Sequence, residues 1–204
     1  SSVAGEGKTT TAVNLALTMA KADTRVLLID ADLRKPTVHK VFNLRNRTGL
    51  SSYLTGTADK SILCKSTHEN LIVIPAGPIP PNPYELLNSK RMETLLEGLD
   101  KEFDVIICDT APVLSVADSR LLSRIFDGLI LVTRAGVATY PMAHACIKSL
   151  KDVNAKIFGI LVNAVQVIDQ EAYYRYYSSY LDETTQQKNG AARVALKALV
   201  SGKK

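Results

Sequence analysis

Five short apolar runs, spread over the first 162 residues of this 204-residue chain, constrain its fold more than any other feature. Each is four to six residues long, rich in β-branched side chains and bounded by Asp, Gly, Pro or Asn, which is typical of strands buried on both faces. Helix-like stretches alternate with them. The runs are 26–29, 71–74, 105–108, 129–132 and 157–162, and the helix-like stretches are 8–22, 89–100, 115–125 and 141–153. This alternation predicts an α/β fold with a doubly wound, mostly parallel sheet.

The composition fits one main domain followed by a tail. With 46% hydrophobic residues, the chain has enough apolar material for a single sizeable core. We expect a nucleotide-binding domain over residues 1–165 and a polar, tyrosine-rich tail over 166–204. No apolar run approaches the ~20 residues that a membrane-spanning helix needs. Three scattered cysteines, Cys64, Cys108 and Cys146, indicate reduced core thiols rather than disulfides or a zinc site.

The first motif that carries chemistry is a glycine-rich loop. Residues 2–10, SVAGEGKTT, fit the phosphate-loop pattern G-x-x-x-x-G-K-[ST], with Ser2 in place of the first glycine. Gly5 and Gly7 allow the backbone N–H groups to point inward, and the helix that follows presents its positive end to the same point. The residues expected to bind the nucleotide here are Gly5, Glu6, Gly7, Lys8, Thr9 and Thr10.

No strand-like run precedes this loop, although such loops normally connect a strand to a helix. We therefore expect the natural protein to be longer at its N-terminus, with the first strand of the fold missing from this chain.

Carboxylates follow two of the predicted strands. Asp30 ends the run VLLID, Asp32 lies two residues further on, and Asp109 ends the run VIICD. The carboxyl ends of parallel strands meet at one edge of the sheet, where ligands bind in open α/β folds. Aspartates at strand ends also cap turns without any further role. Three of them beside a phosphate loop favour a Mg²⁺–nucleotide site.

Several segments together resemble one family. The stretches DADLRKPTVHKVF (30–42) and PPNPYELL (80–87), with the tyrosine-rich stretch EAYYRYYSSY (171–180), are similar to the bacterial tyrosine kinases of polysaccharide export. The resemblance covers essentially the whole chain. It implies a P-loop NTPase fold of the MinD/ParA-like type and a kinase that uses ATP and Mg²⁺ to phosphorylate tyrosine.

The resemblance also implies roles for individual residues. Lys8, Asp30 and Asp32 are the expected catalytic residues, with Lys8 on the β- and γ-phosphates and Asp30 orienting or deprotonating the incoming tyrosine hydroxyl. Thr9, Asp32 and Asp109 are the expected Mg²⁺ ligands, with Asp32 acting through water. Two residues depart from the family pattern. Ser2 replaces the first glycine of the loop, and Ala111 stands where a second proline is common after Asp109, although the metal role does not depend on it.

Two further assignments concern the end of the chain. Asn163 corresponds to an asparagine on the adenine edge of the site, although strand ends also carry such residues in plain turns. The tail tyrosines are the expected phosphoacceptors, modified by a neighbouring subunit of a ring-like homo-oligomer: Tyr173, Tyr174, Tyr176, Tyr177 and Tyr180.

The family context implies partners and a location. These are a membrane protein that governs polysaccharide chain length, fused to the kinase or separate, and a tyrosine phosphatase. Nucleic acid is not expected. The implied location is cytoplasmic, at the inner face of the bacterial plasma membrane.

Two other functions compete with this interpretation. One is a MinD/ParA-like ATPase that acts as a positioning switch, but Val3 stands where that group carries an early lysine. A basic C-terminal segment, AARVALKALVSGKK, favours membrane contact only weakly. The other is a nucleotide-dependent regulator without kinase activity, which the three carboxylates and the tyrosine tail disfavour.

The net charge of +5 does not decide between these functions. A basic run could steer an acidic, tyrosine-rich tail or could simply be solvated, and solvation is the favoured interpretation. Its members are Arg34, Lys35, Lys40, Arg45 and Arg47. His39, within the same stretch, is expected to be structural because the sequence pairs it with no nucleophile.

Overall fold

The structure of the protein, a computed structural model, describes residues 1–166, of which residues 1–164 form one compact unit. The strands are β1 Val26–Asp30, β2 Cys64–Lys65, β3 Leu71–Ile74, β4 Val105–Asp109, β5 Leu129–Arg134 and β6 Ile157–Asn163. The α-helices are α1 Lys8–Lys21, α2 Val38–Val41, α3 Leu50–Leu54, α4 Pro83–Leu87, α5 Lys90–Leu99, α6 Asp118–Leu122 and α7 Tyr140–Lys151. The expected α/β fold with a mostly parallel sheet is confirmed.

The larger sheet has the strand order β2-β3-β1-β4. β3 and β4 both pair with β1 in parallel, and β2, which the sequence did not predict, adds an antiparallel edge. All five residues of β1 are buried. Leu27 and Ile29 belong to the apolar cluster that includes α5, while Val26 and Leu28 belong to the cluster that includes α1. Helices therefore cover both faces of β1, as in a doubly wound sheet.

A second, two-stranded sheet is formed by β5 and β6, which pair in parallel. Within residues 1–166, no strand hydrogen-bonds to both β4 and β5, and a cavity of about 280 Å³ lies between them. The prediction that every strand is buried on both faces is wrong for β6. As the outer strand of its pair, β6 leaves Phe158, Ile160 and Val162 exposed.

The helices follow the sequence pattern with two differences. On α1, Val13, Ala16 and Ala20 are buried, whereas the apolar Leu15 is 37% exposed and lines the cavity between the sheets. The stretch 115–125 was expected to be one helix, yet only the five residues of α6 are α-helical. No helix in the described part of the chain is both long and apolar enough to span a membrane.

Candidate functional site

The phosphate loop adopts the conformation that its glycines predict. Gly5 and Gly7 both have a positive φ, 82° and 94°, and α1 begins directly afterwards at Lys8. A side chain at Gly7 would displace the Asn163 amide, and its φ of 94° lies in the region that favours glycine. The Asn163 Nδ2 donates to the Glu6 carbonyl oxygen at 3.2 Å, which fixes the end of β6 against the loop.

Glu6 is turned into the protein rather than toward the loop opening. Its carboxylate is fully buried and accepts hydrogen bonds from the Ser2 hydroxyl at 2.8 and 2.9 Å and from the Val3 N–H at 2.8 Å. Burial acts to raise the pKa of Glu6, but these hydrogen bonds outweigh burial and lower the pKa. Ser2, which replaces the usual first glycine, thus has a partner within the loop itself.

Asp30 lies at the end of β1 and is fully buried. Its Oδ2 accepts from the N–H groups of Thr37 and Val38 at 3.1 and 3.0 Å, and its Oδ1 accepts from the Asp32 N–H at 3.3 Å. Burial, followed by the charge of Asp109, raises the pKa of Asp30 to about 7, although the hydrogen bonds oppose this. The carboxylate therefore shapes the loop after β1 as well as adding charge to the site.

Asp109, at the end of β4, lies against the first turn of α1. The Thr9 Oγ1 donates to its Oδ2 at 2.5 Å, and the Thr37 hydroxyl donates to the Thr9 Oγ1 at 3.1 Å. Burial raises the pKa of Asp109, opposed by the Thr9 hydrogen bond and the charge of Lys8. Asp32 is almost fully buried, and its Oδ1 accepts from the Lys35 N–H at 3.0 Å. Hydroxyl and carboxylate oxygens, the ligands that Mg²⁺ prefers, therefore meet at one sheet edge.

These oxygens suit Mg²⁺ bound together with a nucleotide. Among the described residues, no group of three or more Asp, Glu, His or Cys side chains is arranged to hold a metal alone. Mg²⁺ in nucleotide sites is held through one or two carboxylates together with substrate phosphates and water. Thr9 and Asp109 are in direct contact, so they fit that arrangement, with Asp32 at the same edge.

An open cavity of about 440 Å³ adjoins the loop. The residues that line it are Gly5, Gly7, Lys8, Thr9, Thr10, Arg134, Asn163 and Ala164. Six of these were expected from the sequence to bind the nucleotide. The five tail tyrosines, Tyr173 to Tyr180, lie outside the described residues.

Two residues at the site were missed by the sequence reasoning. The Arg134 Nη1 donates to the Gly5 carbonyl oxygen at 3.3 Å, and Arg134 lines the cavity. Arg134 could have been predicted from its position at the carboxyl end of β5, just as Asp109 was predicted from its position at the end of β4. Asp118, 1% exposed, pairs with Arg34 through two hydrogen bonds of 2.8 and 3.1 Å. The sequence favoured a solvated Arg34 instead.

Comparisons with known proteins agree with this geometry. The AAA domain family model matches residues 3–157. Tyrosine-protein kinase YwqD of Bacillus subtilis is 41% identical over 176 residues, which cover 86% of this chain and 74% of YwqD. The kinase domain of Escherichia coli tyrosine kinase ETK is 34% identical with a TM-score of 0.80, over 83% of this chain and 67% of that one. The chain belongs to the bacterial tyrosine-kinase family.

The family assignment gives the chain its enzyme class, that of a tyrosine-protein kinase with a P-loop fold. MinD of Pyrococcus horikoshii, in complex with Mg-ADP, has a TM-score of 0.67 at 21% identity, over 83% of this chain and 71% of that one. At that identity the likeness concerns the fold alone. The wider MinD/ParA-like fold expected from the sequence is therefore confirmed together with the kinase family.

Proposed function

We propose that this kinase transfers the γ-phosphoryl group of ATP to tyrosines 173–180 of its own tail, from one copy of the chain to another. The observation that carries the proposal is the contact between Thr9, next to the phosphate-loop lysine, and Asp109, beside Asp30 at the same sheet edge. Phosphoryl transfer depends mostly on positioning and on charge stabilisation. The loop would position the phosphates and supply positive charge through its N–H groups and Lys8, and the carboxylates would hold Mg²⁺ beside them.

The nucleotide side of the reaction falls to the loop and to α1. Lys8 is assigned to the β- and γ-phosphates, together with the backbone N–H groups that Gly5 and Gly7 direct into the loop. Thr9 and Asp109 would hold Mg²⁺ directly and Asp32 through water. Bound there, Mg²⁺ supplies positive charge to the phosphate oxygens. Asn163 and Arg134 border the cavity on the side of β5 and β6, where the rest of the nucleotide would lie.

The acceptor side falls to Asp30. Its carboxylate would accept the proton of the incoming tyrosine hydroxyl while the bond between that oxygen and the γ-phosphorus forms. The bond between the γ-phosphorus and the bridging oxygen breaks, and ADP leaves with the electron pair. A carboxyl pKa of about 7, near the working pH, suits a general base. Backbone hydrogen bonds from Thr37 and Val38 hold it in place.

The wider setting belongs to the same proposal. A ring-like homo-oligomer would bring the tail of one copy to the site of its neighbour. A membrane protein that controls polysaccharide chain length would activate the kinase at the inner face of the plasma membrane. A tyrosine phosphatase would reset the tail.

The test compares the natural full-length protein with its Lys8→Met variant by peptide mass spectrometry, after incubation with ATP and Mg²⁺. We expect phosphate on residues 173–180 of the unmutated chain and none on the variant. Lys21→Met, an exposed position at the other end of α1, is the control and should leave the tail phosphorylated. An unmodified tail with steady ADP release would contradict the proposal and favour a MinD/ParA-like ATPase.

A further inference from the structure

The charges of this chain are unevenly distributed. Residues 33–58, here called the basic segment, contain five of its 25 Lys and Arg residues and none of its 20 Asp and Glu residues. The other residues therefore carry equal numbers of each sign, and the basic segment alone accounts for the net charge of +5. Such a one-signed surface attracts ligands of opposite charge.

The basic segment runs beside the site. It begins directly after Asp32, and its Thr37 and Val38 hold the Asp30 carboxylate. Further along, Asn46 exchanges two side-chain hydrogen bonds with the backbone of Gly77, both 2.8 Å, in the loop that follows β3. The segment thus crosses the carboxyl ends of β1 and β3, the edge at which phosphoryl transfer is proposed.

All five of its cations are exposed, and one of them has an ion-pair partner among residues 1–166. Arg34 is paired with the buried Asp118. The others are exposed, and no residue in the range 1–166 forms an ion pair with them: Lys35, Lys40, Arg45 and Arg47. Between them, Val38, Phe42 and Leu44 belong to or pack against the apolar cluster around α1. The apolar side chains thus anchor the segment and leave its charged side chains outward.

The tail has the opposite charge. Residues 167–183, VIDQEAYYRYYSSYLDE, carry four carboxylates and one arginine, and the carboxylates flank the tyrosines on both sides. We propose that the basic segment is the docking surface for the acidic flanks of the tail of a second copy of this chain. Docking there brings the tyrosines to the edge that carries Asp30 and Asp32. This inference rests on the proposed function and names the surface that recognises the acceptor.

The experiment uses a synthetic peptide of residues 167–183 as acceptor. The enzyme is the full chain with its five tail tyrosines changed to Phe, so that phosphate reports on the peptide alone. The test variant adds Lys40→Glu, Arg45→Glu and Arg47→Glu. The control variant instead adds Lys101→Glu, Lys148→Glu and Lys151→Glu. These exposed control residues precede β4 and β6, at the opposite edge of the strands, and the change in net charge is the same.

At low ionic strength we expect the test variant to raise KM for the peptide about tenfold, because steering between opposite charges is lost. Its kcat and its KM for ATP should stay unchanged, and the control variant should match the parent enzyme. A peptide with Asp169, Glu171, Asp182 and Glu183 changed to Lys should be a poor substrate of the parent enzyme. The test variant should phosphorylate that peptide better than the parent enzyme does.

Three results would overturn the docking surface. The first is an equal KM for the peptide in the test and control variants. The second is a rise in KM for ATP instead of the peptide, which would assign the cations to the nucleotide. The third is an unchanged peptide KM with loss of binding to equimolar phosphatidylglycerol–phosphatidylcholine vesicles, which would assign them to a membrane. No phosphate on the peptide with the parent enzyme would contradict the proposed kinase function itself.

Discussion

At the scale of single residues, the Glu6 carboxylate accepts hydrogen bonds from two groups at the start of the phosphate loop, the Ser2 hydroxyl and the Val3 N–H. Both donors lie within the loop, so Glu6 braces its backbone while the loop opening faces the cavity. Ser2 stands where such loops usually carry glycine, and the hydrogen bond to Glu6 gives its hydroxyl a partner in a fully buried position.

Removal of this brace should weaken nucleotide binding. We expect Glu6→Ala to raise the Kd for ATP about tenfold, because a buried hydroxyl and a partly buried N–H lose their acceptor and the loop relaxes. Glu6→Gln keeps one acceptor oxygen and should bind ATP within about threefold of the parent. Titration with a fluorescent ATP analogue measures both. Equal loss in the two variants would indicate that the charge of Glu6 matters rather than its acceptor geometry.

At the scale of elements, the loop after β1 is tied to α6 by Arg34 and Asp118. Asp118 is 1% exposed, whereas the Arg34 side chain is 40% exposed, so the pair is buried on the carboxylate side only. Arg34→Met should lower the free energy of unfolding by about 2 kcal/mol, since it leaves a buried carboxylate without its partner. It should also lower kcat, because Asp32 lies on the same loop.

Urea unfolding and steady-state kinetics test the Arg34 prediction. Lys35→Met, at the adjacent exposed position, should leave the free energy of unfolding unchanged. The double change Arg34→Met with Asp118→Asn should recover part of the lost stability, because no uncompensated charge remains buried. If the single and double variants prove equally unstable, the ion pair is not the cause.

Two glycines differ in whether the structure has room for a side chain. Gly49 is closely packed against backbone atoms, whereas Gly98 lies in a helix with open space beside it. A Cβ on Gly49 would collide with backbone atoms of Pro75 and Gly77, in the loop after β3. Gly49→Ala should therefore lower the free energy of unfolding by about 1–3 kcal/mol, because backbone atoms cannot move aside. In α5, a Cβ on Gly98 meets nothing within 4 Å. Because alanine has the higher helix propensity, Gly98→Ala should raise the free energy of unfolding by about 0.5 kcal/mol. Thermal unfolding of both variants measures the effect. We expect a lower midpoint temperature than the parent for Gly49→Ala and a higher one for Gly98→Ala.

At the scale of the whole molecule, one contribution to acid stability comes from an exposed ion pair that joins the amino ends of β1 and β4. The Arg25 guanidinium lies 2.5 Å from the Asp104 carboxylate, and its hydrogen bonds and charge lower the pKa of Asp104 to about 2 from 3.8. Because the pKa is lowered in the folded state, the pair stabilises the fold above about pH 4 and is lost as the pH falls toward about 2.

Asp104→Asn should therefore lower the free energy of unfolding slightly at neutral pH, and the difference from the parent should shrink as the pH falls and vanish below about pH 2. Both residues are largely exposed, so the effect should also shrink in high salt. Asp127→Asn, an exposed carboxylate with no ion pair inside residues 1–166, is the control. A difference that stays undiminished between neutral pH and about pH 2 would mean that the charge of Asp104 is not the cause.

The sequence by itself determined the features that depend on neighbouring residues. The short apolar runs predicted the positions of five of the six strands, and the glycine spacing predicted the phosphate loop before α1. Polar residues at strand ends identified Asp30, Asp32 and Asp109, because parallel strands bring their carboxyl ends to one edge whatever the details of packing. The family motifs indicated the enzyme class, because each motif is a run of neighbouring residues that can be recognised without the fold.

Only the tertiary structure decided which distant groups meet. Arg34 and Asp118 are 84 residues apart, and Arg134 and Gly5 are 129 apart, so no local pattern could pair them. The exposure of β6 and the cavity beside Leu15 depend on which strands pair. Contacts between distant parts of the chain form only when the whole fold assembles. No pattern among neighbouring residues shows which distant side chains will meet.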